Sequence, residues 1–347
     1  MKIQKIEKSN ISNIDFTNLN FGSVFTDHMF VCSYKNEKWV NPEIIPYQPI
    51  TISPSARIFH YGQACFEGMK AYKDHNDKIW LFRPKDNHDR IVKSSERLAM
   101  PGIPEEIFME ALIKLINLDK DWVKPGIGNS LYIRPFIFAD QASIIATESD
   151  EYKFMIICAP ANTYYTGEVK VKIEKSFSRA SKGGVGYAKA AGNYAAQFYP
   201  TILARKEGFE QIIWTDSSNH EYIEEAGTMN LFFRIGDTLL TAPTSDSILD
   251  GITRKSLIEV AKKEGIKIEV RPIKVSEIIE AQKNGQLKEI FGSGTAVIVL
   301  PIIGFGYEDK KYDLPKIENP FSTFLKKKLN DIQYNISNDP FEWRVEA

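Results

Sequence analysis

Apolar and polar residues recur along the chain with the period of a strand in some stretches and of a helix in others. From Val169 to Glu174 they alternate strictly, and a period of two is typical of a half-buried strand. Residues 86–98 and 105–116 instead carry apolar side chains at helical spacing, and Pro101-Gly102 between them ends the first helix. The pattern therefore predicts a chain that uses both kinds of element.

Further elements follow from short apolar runs and from the glycines and prolines that bound them. We predict strands at 78–82, 131–138, 154–158 and 212–214, helices at 194–208 and 253–264, a hairpin joining 229–235 to 238–242, and a tight turn at Gly292-Ser293-Gly294 that leads into a strand at 296–300. Pro200 is expected to kink or end its helix. Because helices and hairpin-linked strands occur in both halves, the predicted fold class is α+β rather than a doubly wound parallel sheet.

The length of 347 residues suggests two domains, since domains average roughly 150 residues. The segment that begins at Ala161 follows a proline and breaks the periodic pattern. We therefore predict a small N-terminal α+β domain at 1–160, an interdomain loop at 161–168 and a larger C-terminal domain at 169–347.

Composition narrows the class of protein and its compartment. The formal charge is -1, from 44 basic and 45 acidic side chains, so no basic excess indicates a nucleic-acid partner. No apolar run approaches the ~18 residues of a membrane span, and the N-terminal residues do not resemble a secretory signal. Three cysteines argue against a disulfide framework, and the five scattered histidines do not favour a metal site. We expect a cytoplasmic protein without a membrane partner.

Lys189 is the most informative single residue. It is the only charged residue between Gly183 and Ala195, among glycines, alanines and tyrosines. Such surroundings predict burial, which would lower the pKa of the amine. A neutral amine is what Schiff-base chemistry requires. Taken alone, an exposed lysine in a glycine-rich loop remains an alternative.

Three other stretches carry candidate chemistry. Glu224 and Glu225 enter an apolar strand, where at most one of the two is expected to face inward. Gly251 precedes a predicted helix whose first N–H groups, at Ile252 and Thr253, form a candidate anion site. The glycine turn before Thr295 presents further N–H groups. A solvated strand end, a routine cap and a simple turn would explain each feature separately.

Together, the motifs resemble those of the branched-chain amino-acid aminotransferases over nearly the whole chain. The matching segments, in order, are Phe66-Glu-Gly-Met-Lys70, Leu81-Phe-Arg-Pro84 with His88-Asp-Arg90, Tyr132-Ile-Arg-Pro135, the Lys189 segment, Glu225-Ala-Gly-Thr-Met-Asn-Leu231, Gly251-Ile-Thr-Arg254 and Phe291-Gly-Ser-Gly-Thr-Ala296. The resemblance implies the two-domain D-amino-acid-aminotransferase-like fold, known as fold type IV of the pyridoxal-phosphate enzymes, with the active site at the domain interface.

The resemblance also implies which residues bind pyridoxal 5'-phosphate. Lys189 would attach to the cofactor covalently and move the substrate proton, and Glu225 would face the pyridine nitrogen. Tyr194 would hydrogen-bond the ring oxygen, and Arg90 would bind the phosphate. The remaining implied cofactor contacts are Thr228, Ile252, Thr253 and Thr295. No metal is implied.

The substrate site follows from the same resemblance. Tyr61, Phe66 and Tyr132 would form an aromatic wall around a branched aliphatic side chain, which such a wall binds through buried apolar area. Arg134 would read the distal carboxylate of glutamate. Thr295 and Ala296 would help bind the substrate carboxylate.

The implied activity is ping-pong transamination between leucine, isoleucine or valine and 2-oxoglutarate by a homodimer. A D-amino-acid transaminase or an aminodeoxychorismate lyase on the same fold, or a catalytically silent binding protein, are the alternatives. The chain departs from the family's long variant at Val297 and Leu300, where that variant often carries Cys-x-x-Cys, so a thiol redox switch is not expected. Tyr164 and Tyr165, in the predicted loop, carry less weight as substrate contacts.

Overall fold

The structure of the protein is a computed structural model that describes residues 1–162 and 169–347. Most of the predicted loop at 161–168, including Tyr164 and Tyr165, lies outside the described residues. The loop therefore stays a prediction.

The chain forms two compact units. The first comprises Met1–Tyr164, Ala188–Gly192 and Asp331–Ala347, and the second comprises Tyr165–Tyr187 and Asn193–Asn330. These ranges differ from the predicted domains because the short stretch around Lys189 and the C-terminal residues belong to the first unit. Local pairing accounts for both: Ala190 bridges to Cys65, and Arg344–Glu346 pairs with the strand Ile79–Phe82.

Both units contain helices and strands. The helices are α1 Arg57–Tyr61, α2 Pro84–Arg97, α3 Glu105–Leu118, α4 Ala191–Lys206, α5 Ile252–Lys263, α6 Val275–Lys283 and α7 Phe321–Gln333, with short 3-10 turns at Ile11–Asn13 and Lys120–Trp122. The strands of the first unit are β1 Lys2–Ile3, β2 His28–Lys35, β3 Lys38–Pro46, β4 Ala64–Phe66, β5 Met69–Lys73, β6 Ile79–Phe82, β7 Ser130–Ala139, β8 Tyr152–Ala161 and β18 Arg344–Glu346. Those of the second unit are β9 Val169–Ile173, β10 Gln211–Thr215, β11 Ile223–Ala226, β12 Asn230–Ile235, β13 Thr238–Thr241, β14 Ile268–Val270, β15 Leu287–Gly294, β16 Ile298–Tyr307 and β17 Lys310–Asp313.

The sheet of the first unit has the order β1-β3-β2-β8-β7-β5-β6-β18, with β4 also paired to β7. All of its pairings except β1 with β3 are antiparallel. Helix α3 buries Phe108, Leu112 and Leu115 in the core of this unit. The strand β4 ends at Phe66, directly before two residues that carry the site chemistry described below.

The sheet of the second unit has the order β11-β10-β9-β16-β15-β12-β13-β14, with β17 added beside β16. In β9 the valines and Ile173 are buried in the core. The lysines between them form ion pairs instead, Lys170 with Asp313 at 2.8 Å and Lys172 with Glu207 at 2.7 Å. The alternation predicted from sequence is confirmed, and so is the α+β class, because both sheets are mixed and largely antiparallel.

One local prediction is wrong. Gly292-Ser293-Gly294 is not a turn: it continues β15 and pairs with β16, and the turn falls at 295–297. Gly292 marks close packing instead, because a Cβ there would collide with the side chain of Met229.

Of the two effects predicted for Pro200, the end of the helix does not occur, since α4 runs on to Lys206 with Pro200 buried inside it. The kink stays a prediction.

In the part of the chain that the structure describes, no helix combines the length and the apolar character needed to cross a bilayer.

Candidate active site

Lys189 lies in the first unit, where two hydrogen bonds of its backbone hold it in place. Its N–H donates to Ser94 Oγ at 3.0 Å, and its carbonyl accepts from the Phe66 N–H at 3.1 Å. Its neighbours Ala188 and Ala190 are buried, but Lys189 itself is partly exposed, where the sequence predicted burial. The Lys189 Nζ is 5.0 Å from the centre of the Phe66 ring. The backbone is thus fixed, while the amine reaches an aromatic face.

Arg90 is buried on α2 and forms an ion pair with Glu67, the residue after β4. The Arg90 Nε lies 2.6 Å from Glu67 Oε1, and the Nη2 lies 2.8 Å from Oε2. One turn later on the helix, Ser94 donates to the Arg90 carbonyl at 2.8 Å while accepting from Lys189. The structure therefore brings Lys189, Arg90 and Phe66 together through Glu67 and Ser94, two residues whose role the sequence motifs do not indicate.

Arg134 and Tyr132 also lie beside Phe66, and Phe66 is partly buried. The guanidinium carbon of Arg134 is 4.4 Å from the centre of the Phe66 ring, and its Nη2 donates to the Tyr132 hydroxyl at 2.9 Å. Across the described residues no carboxylate pairs with Arg134, and its Nε is buried without a hydrogen-bond partner. In this unit the guanidinium of Arg134 therefore lies over the faces of two aromatic rings, those of Phe66 and Tyr132.

Two neighbours, Phe21 and Gly68, pack against Tyr132 in that aromatic surface. Phe21 packs edge-on against Tyr132, with ring centres 4.9 Å apart, and was not predicted. Gly68 has no side chain because a Cβ there would collide with the Tyr132 hydroxyl. Tyr61, in contrast, is exposed at the end of α1, and its hydroxyl donates to the Ile144 carbonyl.

Glu225 lies in the second unit, on β11, and is 4% exposed. Its Oε1 is 3.1 Å from Nη2 of Arg179, and its Oε2 accepts from the Leu249 N–H at 3.0 Å and from Asn230 Nδ2 at 3.3 Å. A buried carboxylate with a cation and two N–H donors is stabilised in its ionised form. Arg179, which carries that cation, was not singled out from the sequence.

Glu224 is buried as well, so the expectation that at most one of the two glutamates faces inward is wrong. Both side chains have buried partners: Ser247 donates to Glu224 Oε1, Glu225 contacts Arg179, and Arg179 in turn donates to the Ser247 carbonyl. Burial raises the pKa of Glu224, although the Ser247 hydrogen bond and the charge of Arg179 oppose that rise. Glu224 and Glu225 thus sit in different environments, and Arg179 contacts Glu225 directly.

The N-terminus of α5 has the form of an anion site. Gly251, Ile252 and Thr253 are buried, and no side chain of the described residues caps the helix. A buried helix end without a cap leaves N–H groups to be satisfied by a ligand or water. Gly251 is required here because a Cβ would collide with Asn230 Oδ1. Asn230 also donates to the Leu249 carbonyl at 2.9 Å, linking this helix start to Glu225.

The remaining predicted residues of the second unit lie on turns and on one helix face. Thr295 and Ala296 are partly exposed in the turn between β15 and β16, and Thr228 is exposed in the turn before β12. A Cβ on Gly294 would meet the Thr228 carbonyl at 3.4 Å, so the two turns are neighbours. Tyr194 is partly buried in the first turn of α4.

The three cysteines are free and buried. Burial raises the pKa of Cys65 to about 12 and that of Cys32 to about 11, and it places that of Cys158 well above the ordinary value. Raised thiol pKa values make thiolate chemistry unfavourable. Within residues 1–162 and 169–347, no group of His, Cys, Asp and Glu side chains could hold a metal ion.

The counter-charges Glu67 and Arg179 left only a weak signal in the sequence. Glu67 is an acidic residue inside the apolar stretch from 64 to 72, and buried charges in such stretches are paired. Arg179 stands between two serine-containing polar segments and offers no comparable contrast. Only the fold shows that each pairs with a predicted site residue.

These features agree with the known proteins to which the chain is similar. The amino-transferase class IV model matches residues 64–304. The chain is 43% identical over 341 residues to branched-chain-amino-acid aminotransferase 2 of Bacillus subtilis, covering 96% of this chain and 93% of that protein. It is 42% identical over 336 residues to a probable branched-chain-amino-acid aminotransferase of Staphylococcus aureus, covering 94% and 93%.

Solved structures give the fold. A branched-chain aminotransferase from Thermoproteus uzoniensis superposes with a TM-score of 0.75 at 22% identity, covering 92% of this chain and 99% of that one. The Escherichia coli branched-chain amino acid aminotransferase gives a TM-score of 0.74 at 23% identity, covering 92% and 98%. The predicted fold is confirmed by these matches. The chain belongs to the class IV aminotransferase family and, within it, to the branched-chain-amino-acid aminotransferases.

Proposed function

We infer that the protein is a pyridoxal-phosphate-dependent transaminase that moves an amino group between leucine, isoleucine or valine and 2-oxoglutarate. The observation that carries this inference is the cluster in which Lys189, Phe66 and Arg90 are joined through Glu67 and Ser94. The names of the relatives at 41–43% identity support the branched-chain substrates. They do not favour the D-amino-acid transaminase, lyase or silent-protein alternatives.

The residues present fit pyridoxal phosphate. The buried, uncapped start of α5 at Ile252 and Thr253 and the guanidinium of Arg90 suit a phosphate dianion. The carboxylate of Glu225, which pairs with Arg179, suits a protonated pyridine nitrogen. Lys189 supplies the amine, and Tyr194, Thr228 and Thr295 are further proposed contacts. When bound, the cofactor supplies the electron sink that this chemistry needs.

The chain's own residues would divide the remaining work. The Lys189 amine would take the proton from the substrate Cα as a base and, as an acid, would deliver it to carbon C4′ of the bound cofactor. Phe66 and Tyr132, with Tyr61 as a further proposed contact, bind the aliphatic side chain of a branched substrate. Arg134, which has no carboxylate partner among the described residues, binds the distal carboxylate of glutamate. Thr295 and Ala296 orient the carboxylate on Cα.

Arg134 explains how one site can accept an aliphatic and an acidic substrate in turn. Its guanidinium lies over the Phe66 ring at 4.4 Å and over the Tyr132 ring at 5.3 Å. A carboxylate would meet the cation above these rings, and an apolar side chain would pack on the aromatic surface that the guanidinium leaves uncovered. In ping-pong order the first 2-oxo acid leaves before the second binds, so the two substrates never compete for this surface at the same moment.

Covalent labelling at Lys189 tests the function directly. Borohydride reduction of the cofactor-loaded protein, followed by peptide mapping, should place the tag on the peptide that contains Lys189. Lys189→Ala should abolish both the tag and transamination of leucine, isoleucine and valine, whereas Lys182→Ala, a nearby exposed lysine, should change neither. A tag on another lysine, or wild-type protein that transaminates none of the three amino acids, would refute the proposal.

We also propose a cytoplasmic homodimer. Helix α4 exposes Phe198 at 64%, Tyr199 at 61% and Ile202 at 48%, and grouped exposed apolar side chains mark interaction surfaces. Three free buried cysteines suit a reducing compartment. Light scattering should give about twice the chain mass, and a monomer at micromolar concentration would contradict the assembly. Recovery of the native protein in a membrane or extracellular fraction would contradict the compartment.

A further inference from the structure

The ion pair between Arg90 and Glu67 is the most completely buried charged contact around Lys189. Glu67 is 0% exposed and Arg90 is 9% exposed. The contact is side-on and bidentate, with both carboxylate oxygens engaged by the Nε and Nη2 edge of the guanidinium at 2.6 and 2.8 Å. This geometry fixes the plane of the guanidinium as well as its position, because the two N–H bonds are parallel.

Glu67 is itself anchored by its backbone surroundings. Its N–H donates to the Pro135 carbonyl at 2.7 Å, and the Gly68 N–H donates to its Oε2 at 3.1 Å. The preceding residue, Phe66, holds the Lys189 carbonyl. One short stretch of chain therefore fixes both the guanidinium of Arg90 and the backbone of Lys189.

Two effects of Glu67 on a phosphate at Arg90 oppose each other. Its negative charge cancels that of Arg90 at a distance and so weakens the attraction of a dianion. Its two hydrogen bonds remove the rotational freedom of a long side chain, so that less entropy is lost when the guanidinium binds. Glu67 favours phosphate binding when, at contact distance, the directed N–H bonds of an oriented guanidinium contribute more than the cancelled charge.

We propose that Glu67 is a positioning residue that orients Arg90 and thereby makes this protein select the phosphorylated form of its cofactor. The proposal rests on the proposed function, since it takes Arg90 as a phosphate ligand. Glu67 touches neither substrate nor cofactor and acts only through Arg90. Its contribution is therefore confined to the phosphate end of the cofactor.

The test compares pyridoxal 5'-phosphate with pyridoxal, which lacks the phosphate. Full-length protein freed of cofactor is titrated with each compound, and binding is followed by absorbance. Glu67→Gln should weaken pyridoxal phosphate by about tenfold or more, the loss expected for a hydrogen bond to a charged group, and leave pyridoxal unchanged. Glu67→Asp keeps the charge but shortens the reach, so it should fall between Glu67→Gln and the wild type.

Asp119→Asn is the matched control. Asp119 is a buried carboxylate of the same unit, 2.6 Å from His28 Nδ1, and it has no contact with Arg90 or Lys189 among the described residues. It should lower stability without changing the ratio of the two affinities. If Glu67→Gln does not fold, the ratio in Glu67→Asp decides the matter.

Three outcomes would overturn the positioning role: an unchanged ratio in both variants, equal weakening of both compounds, or tighter binding of pyridoxal phosphate by Glu67→Gln. The last would show that charge cancellation dominates. Failure of the proposed function looks different, because then the wild-type protein would bind neither compound covalently.

Discussion

Each unit holds a proposed cofactor ligand in a buried ion pair, and the charge of that ligand is positive in the first unit and negative in the second. In the first unit the proposed cofactor ligand is the cation, Arg90, and a buried carboxylate, Glu67, holds it. In the second unit the proposed ligand is the carboxylate, Glu225, and a buried cation, Arg179, holds it. A phosphate needs a cation and a protonated pyridine nitrogen needs an anion, and each buried charge requires a counter-charge from its own unit.

The two ion pairs differ in the number of further hydrogen bonds that support them. Arg90 and Glu67 meet through two parallel hydrogen bonds. Arg179 touches only one oxygen of Glu225 and also donates to the carbonyls of Gly186 and Ser247, while the other oxygen takes N–H donors from Leu249 and Asn230. The second pair is thus embedded in a network, and removal of its cation should be felt through several contacts.

Loss of Arg179 should have the largest effect on stability. Arg179→Gln leaves Glu225 buried without its cation, and breaking one side of a buried pair costs about 3–5 kcal/mol. The double variant Arg179→Gln with Glu225→Gln removes both charges and should recover a large part of that loss. Urea unfolding measures both values. If the double variant is no more stable than Arg179→Gln, the ion pair is not what the arginine contributes.

Measuring kcat should distinguish the proposed catalytic role of Glu225 from its contribution to stability. Glu225→Gln, with or without Arg179→Gln, should retain cofactor but lower kcat by about 10²–10³, the usual cost of removing one preorganised electrostatic group. Glu289→Gln is the matched control: Glu289 is a buried carboxylate of the same unit, 3.3 Å from Arg234 Nη1. It should lose stability but keep kcat. Unchanged turnover in Glu225→Gln would contradict the pyridine role.

The difference between the pairs also explains what the sequence could predict. Lys189, Arg90 and Glu225 were found because each sits in a motif of fixed spacing, and the family resemblance assigns a role to each motif. Glu67 and Arg179 were missed because a counter-charge needs only to reach its partner in space. Arg179, in the segment after β9, meets Glu225 only when that segment and β11 come together, which no local pattern reveals.

The same limit applies to elements. Amphipathic β9 and α3 were predicted well because their periods report burial directly. The glycines of β15 were taken for a turn because glycine permits a turn and also permits close packing, and the side chain of Met229, which decides between the two, comes from β12 and its preceding turn. Glu224 was misplaced for a related reason: alternation predicts opposite faces, but only the tertiary structure shows that both side chains have buried partners.

Asp74 is a buried carboxylate that hydrogen bonds stabilise without an arginine. Its substitution has the smallest predicted effect on stability. Asp74 is 3% exposed, and no cation among the described residues forms an ion pair with it. Burial alone would raise its pKa, but hydrogen bonds from Asn335, Trp80 and the N–H groups of Asn76 and Lys78 outweigh burial and lower the pKa to about 2. Asn335 belongs to the C-terminal stretch of the first unit, so this carboxylate ties that stretch to the residues around β6.

The sign of the pH dependence follows from the lowered pKa. Asp74 should contribute about 2 kcal/mol of stability, fully present above the ordinary carboxyl pKa near 4 and lost as the pH falls toward 2. Asp74→Asn should therefore destabilise the first unit most at pH 6, about half as much at pH 3 and little at pH 2, measured by urea unfolding followed through tryptophan fluorescence. A gap between wild type and variant that stayed constant down to pH 2 would mean that Asp74 acts through its shape. In that case the neutral N–H donors around Asp74 would not stabilise its charge, in contrast to Arg179, which pairs with the charge of Glu225 in the second unit.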